Sequence, residues 1–277
     1  MLHHRLEALR QKHGAEALAA AAYDWETGLA VSLNGTRSFH PASTMKVAVL
    51  LALFDAASKG RFDLREPLHV RNRFLSKADG SAFRVSSSRD ANSEVYERLG
   101  LTMPVERLAY HMIVTSSNLA TNLLVDLVTP EAIAAALDKW DVRGVSVVRG
   151  VEDEAAYQKG ISNRTTAEGL VMLLRLLVEG DAFSEKMREQ MRDILFDQAF
   201  KSGIPAGLPK GARVAHKTGE ISIVQHDCGL VYLPNRKPYA LAVLTQWKPD
   251  VKGRSDLVAD VSKAFYQTLT MPENTDV

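Results

Sequence analysis

Ser43 and Lys46 stand three residues apart in the stretch His40-Pro41-Ala42-Ser43-Thr44-Met45-Lys46, ahead of an almost wholly apolar run that ends at Lys59-Gly60. On a helix that spacing puts both side chains on one face, with about 5–6 Å between Cβ atoms. Pro41 disfavours helix before it, so Ser43 is expected in the first turn, where free N–H groups and the positive end of the helix dipole lie. A helix that is apolar all round is buried. The chain therefore commits a core helix, residues 43–58, to holding one serine and one lysine at its N-terminal end. A serine needs a base to become a nucleophile, and a desolvated lysine can be that base. Taken alone, the pair also describes a capped helix start with a solvated lysine.

Two later segments favour the chemical reading. Ser116-Ser117-Asn118 opens a second apolar helix, and Lys217-Thr218-Gly219 precedes a strand-like segment. A Ser-x-x-Lys nucleophile, a Ser-x-Asn middle motif and Lys-Thr-Gly occur in this order in β-lactamases and penicillin-binding proteins. With these motifs the chain resembles the class A β-lactamases and penicillin-recognising serine hydrolases. The resemblance runs from Tyr23-Asp24-Trp25-Glu26-Thr27-Gly28 to the C-terminal helix. It implies Ser43 as nucleophile, Lys46 as its base, and Ser116 as the relay that protonates the leaving nitrogen. It implies that Asn118 holds the substrate amide and the Lys46 ammonium. Lys217, Thr218 and Gly219 then form the substrate-binding edge, Lys217 and Thr218 taking a substrate carboxylate. Backbone N–H groups of Ser43 and Glu220 form the oxyanion hole. A second cation near Lys46, such as Lys217, would lower its pKa and favour the neutral base.

The departures from the family pattern fall at the deacylation step. Class A enzymes use a glutamate inside Arg-x-Glu-Pro-Glu-Leu-Asn, whereas this loop reads Arg149-Gly150-Val151-Glu152-Asp153-Glu154-Ala155-Ala156-Tyr157. Glu152 is the candidate base, one residue late, with no proline after it and Ala156 where a water-holding asparagine is expected. Glu152-Asp153-Glu154 also reads as a solvated acidic run. The arginine that pairs with an aspartate at the far end of the family's loop finds Asn163 here, which predicts a looser loop. Ser117 replaces the usual aspartate of the middle motif. Val224-Gln225 stands before His226-Asp227 where an arginine is common.

The elements that must position these residues follow from pattern. Residues 17–23 and 29–33 read as a hairpin closed by Asn34-Gly35. Residues 105–114, 119–128, 130–139, 165–177 and 184–196 read as helices, with Pro104, Pro130, Thr165-Thr166 and Ser184 as start signals. Residues 140–164 and 198–212 read as loops, and 76–90 as a long polar excursion that can wall a cleft. Residues 214–218, 227–233 and 239–246 read as strands before a last helix, 254–269. Strands at both ends with helices between predict an α/β fold of the α+β type: an antiparallel sheet from both chain ends with flanking helices, plus an all-helical subdomain. The 277 residues are expected to form one β-lactamase-like domain, divided into 1–42 with 199–277 and 43–198.

Hydrophobic residues make up 46% and charged residues 24%, enough apolar material for a sizeable core. A net charge of +1 gives no reason to expect nucleic acid or an anionic membrane as partner. The single cysteine, Cys228, excludes an intrachain disulfide and reads as a buried thiol. His216 and His226 read as rim or core histidines; no His, Asp or Glu spacing suggests a metal site, and no cofactor is expected. The partner is expected to be a small molecule, a β-lactam or related acyl compound, and the protein a monomer. No apolar signal segment opens the sequence. That predicts a cytoplasmic protein if the sequence is complete, and a periplasmic or secreted one if a signal was trimmed. The resulting function is a serine hydrolase working by an acyl-enzyme, foremost a β-lactamase. The alternatives are an esterase or D-amino-acid peptidase on the same scaffold, or a penicillin-binding or sensor domain that acylates without turnover.

Overall fold

Period-two alternation along the strands divides their side chains between two cores. The computed structural model describes residues 2–249, 251 and 254–270. The first elements are α1 (Leu2–His13), β1 (Ala17–Asp24), β2 (Ala30–Leu33) and α2 (Lys46–Ser58). Four short strands follow: β3 (Pro67–His69), β4 (Phe74–Leu75), β5 (Ala82–Phe83) and β6 (Thr102–Pro104). The helical middle comprises α3 (Val105–Val114), α4 (Asn118–Val128), α5 (Pro130–Lys139), α6 (Glu154–Gln158), α7 (Ala167–Arg175) and α8 (Glu185–Phe196). The chain closes with β7 (Arg213–Ile221), β8 (Val224–Tyr232), β9 (Tyr239–Gln246) and α9 (Arg254–Thr270).

The main sheet has the order β2-β1-β9-β8-β7, antiparallel throughout. In β1, Ala17, Ala19 and Ala21 join the core beneath the helical layer, whereas Leu18, Ala20 and Ala22 join the core under α1 and α9. Strand β9 divides the same way: Ala240, Ala242 and Leu244 face the helical layer, Tyr239, Leu241 and Val243 the terminal helices. A strand covered on both faces needs apolar residues at every position, as in fully buried sheets. Alanine lets α7 lie close against β1 and β9. Register joins the two chain ends, Ala20 opposite Val243.

Helix α2 is the hub of the helical layer, packing on α3, α4, α5, α7 and α8. Every residue from Lys46 to Ala56 is buried. Each large apolar side chain so buried contributes about 1.5–3 kcal/mol.

Three segments differ from the expectation. The helix expected from Ser43 begins at Lys46, and Ala42–Met45 is a tight 3-10 turn. The amide and hydroxyl of Thr44 both donate to Pro41 O, at 3.1 and 2.7 Å, which closes that turn three residues back. The 140–164 segment is not all loop; it contains α6, whose N-terminus Asp153 caps by accepting from Ala156 N at 3.1 Å. Strands β7 and β8 run on until Ile221 pairs with Val224, so only Ser222 and Ile223 form the turn.

Candidate active site

The backbone before Ser43 is fixed from the sheet. Ala42 has φ +45°, and its amide donates to His40 Nδ1 at 3.1 Å. His226, on β8, donates from Nε2 to His40 O at 3.0 Å, while its Nδ1 accepts from Thr245 N of β9 at 3.1 Å. The edge strand β7 presses on the same turn. A Cβ on Gly219 would lie 3.0 Å from both Pro41 O and Ser43 N, so only glycine lets strand and nucleophile approach this closely. The amides of Ser43 and Glu220 thus sit on two apposed backbone segments, as an oxyanion hole requires.

Lys46 is fully buried, and its Nζ faces Ser116 O at 2.8 Å, Asn118 Oδ1 at 3.0 Å and Ser116 Oγ at 3.2 Å. Burial first, and then the charge of Lys217, push its pKa well below the ordinary lysine value. Ser43 is absent from these partners. Ser116 Oγ lies 2.9 Å from Ser43 Oγ, so the direct pair expected from the three-residue spacing is replaced by the line Lys46–Ser116–Ser43. Ser116 reaches this place with φ +59°, in the corner between α3 and α4.

Asn118 has its side chain free for the site because Ser117 caps α4, accepting from Ala120 N at 3.2 Å. Its amide bridges two charged groups: Oδ1 accepts from Lys46, and Nδ2 donates to Glu152 Oε1 at 2.9 Å. The carboxylate missing at Ser117 is supplied by Asp90. Its Oδ2 accepts from Asn118 N at 2.8 Å, Leu119 N at 3.0 Å and Ser117 Oγ at 3.0 Å. An anion at a helix N-terminus is stabilised by free amides and the dipole.

Glu152 is not part of a solvated acidic run. Oε2 accepts from Ser86 N at 3.0 Å as Oε1 accepts from Asn118, and Asp153 beside it is buried, accepting from Ser76 Oγ at 2.7 Å and Lys77 N at 2.8 Å. Glu152 has φ +60°, with Glu154 N donating to Glu152 O at 3.0 Å. This three-residue γ-type turn aims the carboxylate at Asn118. The preceding residues are clamped by Asn122, which accepts from Val151 N at 2.7 Å and donates to Val151 O at 2.9 Å. Gly150 allows that approach, since a Cβ there would lie 2.6 Å from Asn122 Oδ1.

The far end of the loop is held by other contacts than the expected Arg149–Asn163 side-chain pair. Asn163 binds the backbone of Arg149, not its guanidinium: Oδ1 accepts from Val148 N and Arg149 N at 2.8 and 3.1 Å, and Nδ2 donates to Arg149 O at 3.0 Å. The Arg149 guanidinium donates instead to Ile161 O and Gly150 O.

Lys217 is fully buried, donates to Thr218 O at 2.9 Å, and is brought down to about 8 by burial. Thr218 and Glu220 line the mouth of a cleft of about 700 Å³, together with Ser43, Ser116, Asn118 and Glu152. The structure thus gathers Ser43, Lys46, Ser116, Asn118, Glu152 and the β7 edge into one place. His216, Cys228 and His226 are core residues. Among the described residues no group of three or more His, Cys, Asp or Glu could hold a metal ion. Asp90, Asn122, Asp153 and the backbone role of Asn163 were missed. Ser117 carried the one available hint, since a carboxylate absent from a helix start invites one from elsewhere.

The model of the beta-lactamase enzyme family matches residues 1–269. A beta-lactamase of Streptomyces lavendulae is 27% identical over 280 residues, covering 96% of this chain and 85% of its own. The extended-spectrum beta-lactamase PER-1 of Pseudomonas aeruginosa is 23% identical over 249 residues, 85% of this chain and 77% of its own. Among solved structures, PBP-A superposes with a TM-score of 0.83 at 26% identity, over 97% of this chain and 95% of that one. A mutant of PBP-A has been seen as an acyl-enzyme complex with penicillin G.

Proposed function

The chain belongs to the beta-lactamase enzyme family, and from that premise we propose that it hydrolyses β-lactams through an acyl-enzyme on Ser43. The observation that carries this reading is the unbroken line from Lys46 Nζ through Ser116 Oγ to Ser43 Oγ, with steps of 3.2 and 2.9 Å. Neutral Lys46, favoured by burial, draws a proton from Ser116 as Ser116 takes the proton of Ser43. Ser43 Oγ then attacks the lactam carbonyl carbon, and the oxyanion is held by the amides of Ser43 and Glu220. One such donor lowers the barrier by about 3–4 kcal/mol. When the C–N bond breaks, the ammonium of Lys46 returns the proton through Ser116 to the leaving nitrogen. Asn118 steadies both ends of this cycle, since it touches Lys46 and Glu152. For deacylation Glu152 takes a proton from a water that attacks the ester carbonyl, and as the ester C–O bond breaks that proton passes to Ser43 Oγ, which restores the Glu152 carboxylate and leaves Lys46 neutral for the next cycle.

Incubation with benzylpenicillin and a chromogenic cephalosporin, followed by intact mass and peptide mapping, tests the reading. Expected are a single transient adduct on Ser43 and continued turnover, with neither in Ser43→Ala. An adduct on another residue overturns the assignment, and an adduct that never decays overturns hydrolysis while leaving acylation.

A further inference from the structure

On a strand, residues two apart share a face. Thr218 and Glu220 are such a pair on β7, and both line the cleft. The Glu220 side chain is 60% exposed, so its carboxylate stands at the mouth and not in the core. Two neighbours steady it. Gln225 faces it across the hairpin and, with its amide nitrogen turned toward the carboxylate as the surrounding acceptors require, lies 3.3 and 3.1 Å from the two oxygens. Arg254 approaches to 3.4 Å, while its Nη1 is committed to Ile221 O and Ser222 O at 3.0 and 2.8 Å.

Among the described residues, no cationic side chain of the sheet edge lines this end of the cleft. The cationic side chains lining it, among the described residues, are Arg89 and Arg149, both from the helical side. Lys217 lies fully buried under the strand and donates to Thr218 O. Glu220 therefore acts twice: it adds a negative charge beside Thr218, and it engages Arg254.

Resting on the Ser43 acyl-enzyme reading, we propose that Glu220 selects substrates by charge, so that the group placed beside Thr218 is neutral or cationic, such as an ester, amide or ammonium, in preference to a free carboxylate. Like charges brought together across a binding surface are strongly disfavoured, and the penalty shrinks with added salt.

The experiment compares acylation kcat/KM for benzylpenicillin and for its methyl ester, which differ only in that charge. In Glu220→Gln the acid-to-ester ratio is expected to rise about tenfold, and further in Glu220→Lys. In the unmutated protein the ratio should climb with ionic strength. Gln and Lys keep the backbone N–H, so a change common to both probes cancels in the ratio. Equal ratios in all three proteins overturn the inference and leave the acyl-enzyme reading intact. Failure of both probes to acylate any of the three overturns the acyl-enzyme reading, and this inference with it.

Discussion

Ser116 stands between two groups that a three-residue helical spacing would join directly. The reason is local: Ser43 lies on a 3-10 turn and Lys46 opens the α-helix, so the two side chains do not follow one regular helical face. The Ser116 hydroxyl fills the gap, within hydrogen-bond reach of both Lys46 Nζ and Ser43 Oγ. Glu152 is a second case where backbone decides chemistry. A non-glycine residue at φ +60° carries strain of about 1–3 kcal/mol, and here that strain aims a carboxylate at Asn118 and Lys46. Glu152→Gln keeps the size and an acceptor for Ser86 N but loses the base. Acyl-enzyme decay should slow by about 10²–10⁴, with acylation little changed. Mass-detected adduct decay after a short pulse of penicillin reads this directly; an unaltered decay rate removes Glu152 from the mechanism. That Ser43, Lys46, Ser116 and Asn118 belong together was legible because each sits in a short motif, and the structure brings them within hydrogen-bond reach of one another. The geometry of Glu152 was not, because a γ-type turn leaves no mark in residue identity.

Helix α4 shows how one element depends on a distant loop. Its first amides, Asn118 N and Leu119 N, are held by Asp90 from the polar excursion before α3. That excursion also supplies Ser86 N to Glu152, and Ser76 Oγ and Lys77 N to Asp153, so one segment secures both sides of the site. Asp90→Ala should cost about 0.5–2 kcal/mol in urea unfolding, the range for a lost helix cap. It should also slow acylation, because Ser117 and Asn118, which follow Ser116 into the helix, lose their anchor. Moving the carboxylate back, as Asp90→Ser with Ser117→Asp, should recover most of both losses. A double variant no better than Asp90→Ala shows that the anion must come from the loop. Helix starts were legible where a local residue does the capping, as Thr166 does for α7 and Ser184 for α8. The Asp90 contact spans 28 residues to Asn118, and no local pattern announces it. The β7–β8 turn was missed because Ser222-Ile223 lacks the glycine or asparagine that usually marks a two-residue hairpin.

At the scale of the molecule the sheet separates two cores, and the antiparallel sheet from both chain ends was legible because strand-like runs lie at both ends with helices between. What the sequence left open was how the nucleophile turn is tied to that sheet. The tie is His226, fully buried on β8, donating to His40 O and accepting from Thr245 N. Both bonds require the neutral ring with its proton on Nε2; a second proton on Nδ1 would face an N–H donor. Burial accordingly lowers the pKa from 6.5 to about 4. Above pH 6.5 neither the folded nor the unfolded chain protonates this ring, and the fold keeps its full stability. Between pH 6.5 and about 4 the unfolded chain takes up the proton and the folded one does not, so stability falls as pH falls, by about 3 kcal/mol across that window. His40 and His111, both lowered first by burial, add to the loss in the same direction. Urea midpoints at pH 7.5, 5.5 and 4.5 should therefore decline steadily. His226→Asn should be less stable at pH 7.5, through loss of the tie, yet decline less over the same interval. A variant whose midpoints fall as steeply as those of the unmutated protein would place the acid sensitivity elsewhere and leave His226 a purely structural link between sheet and nucleophile.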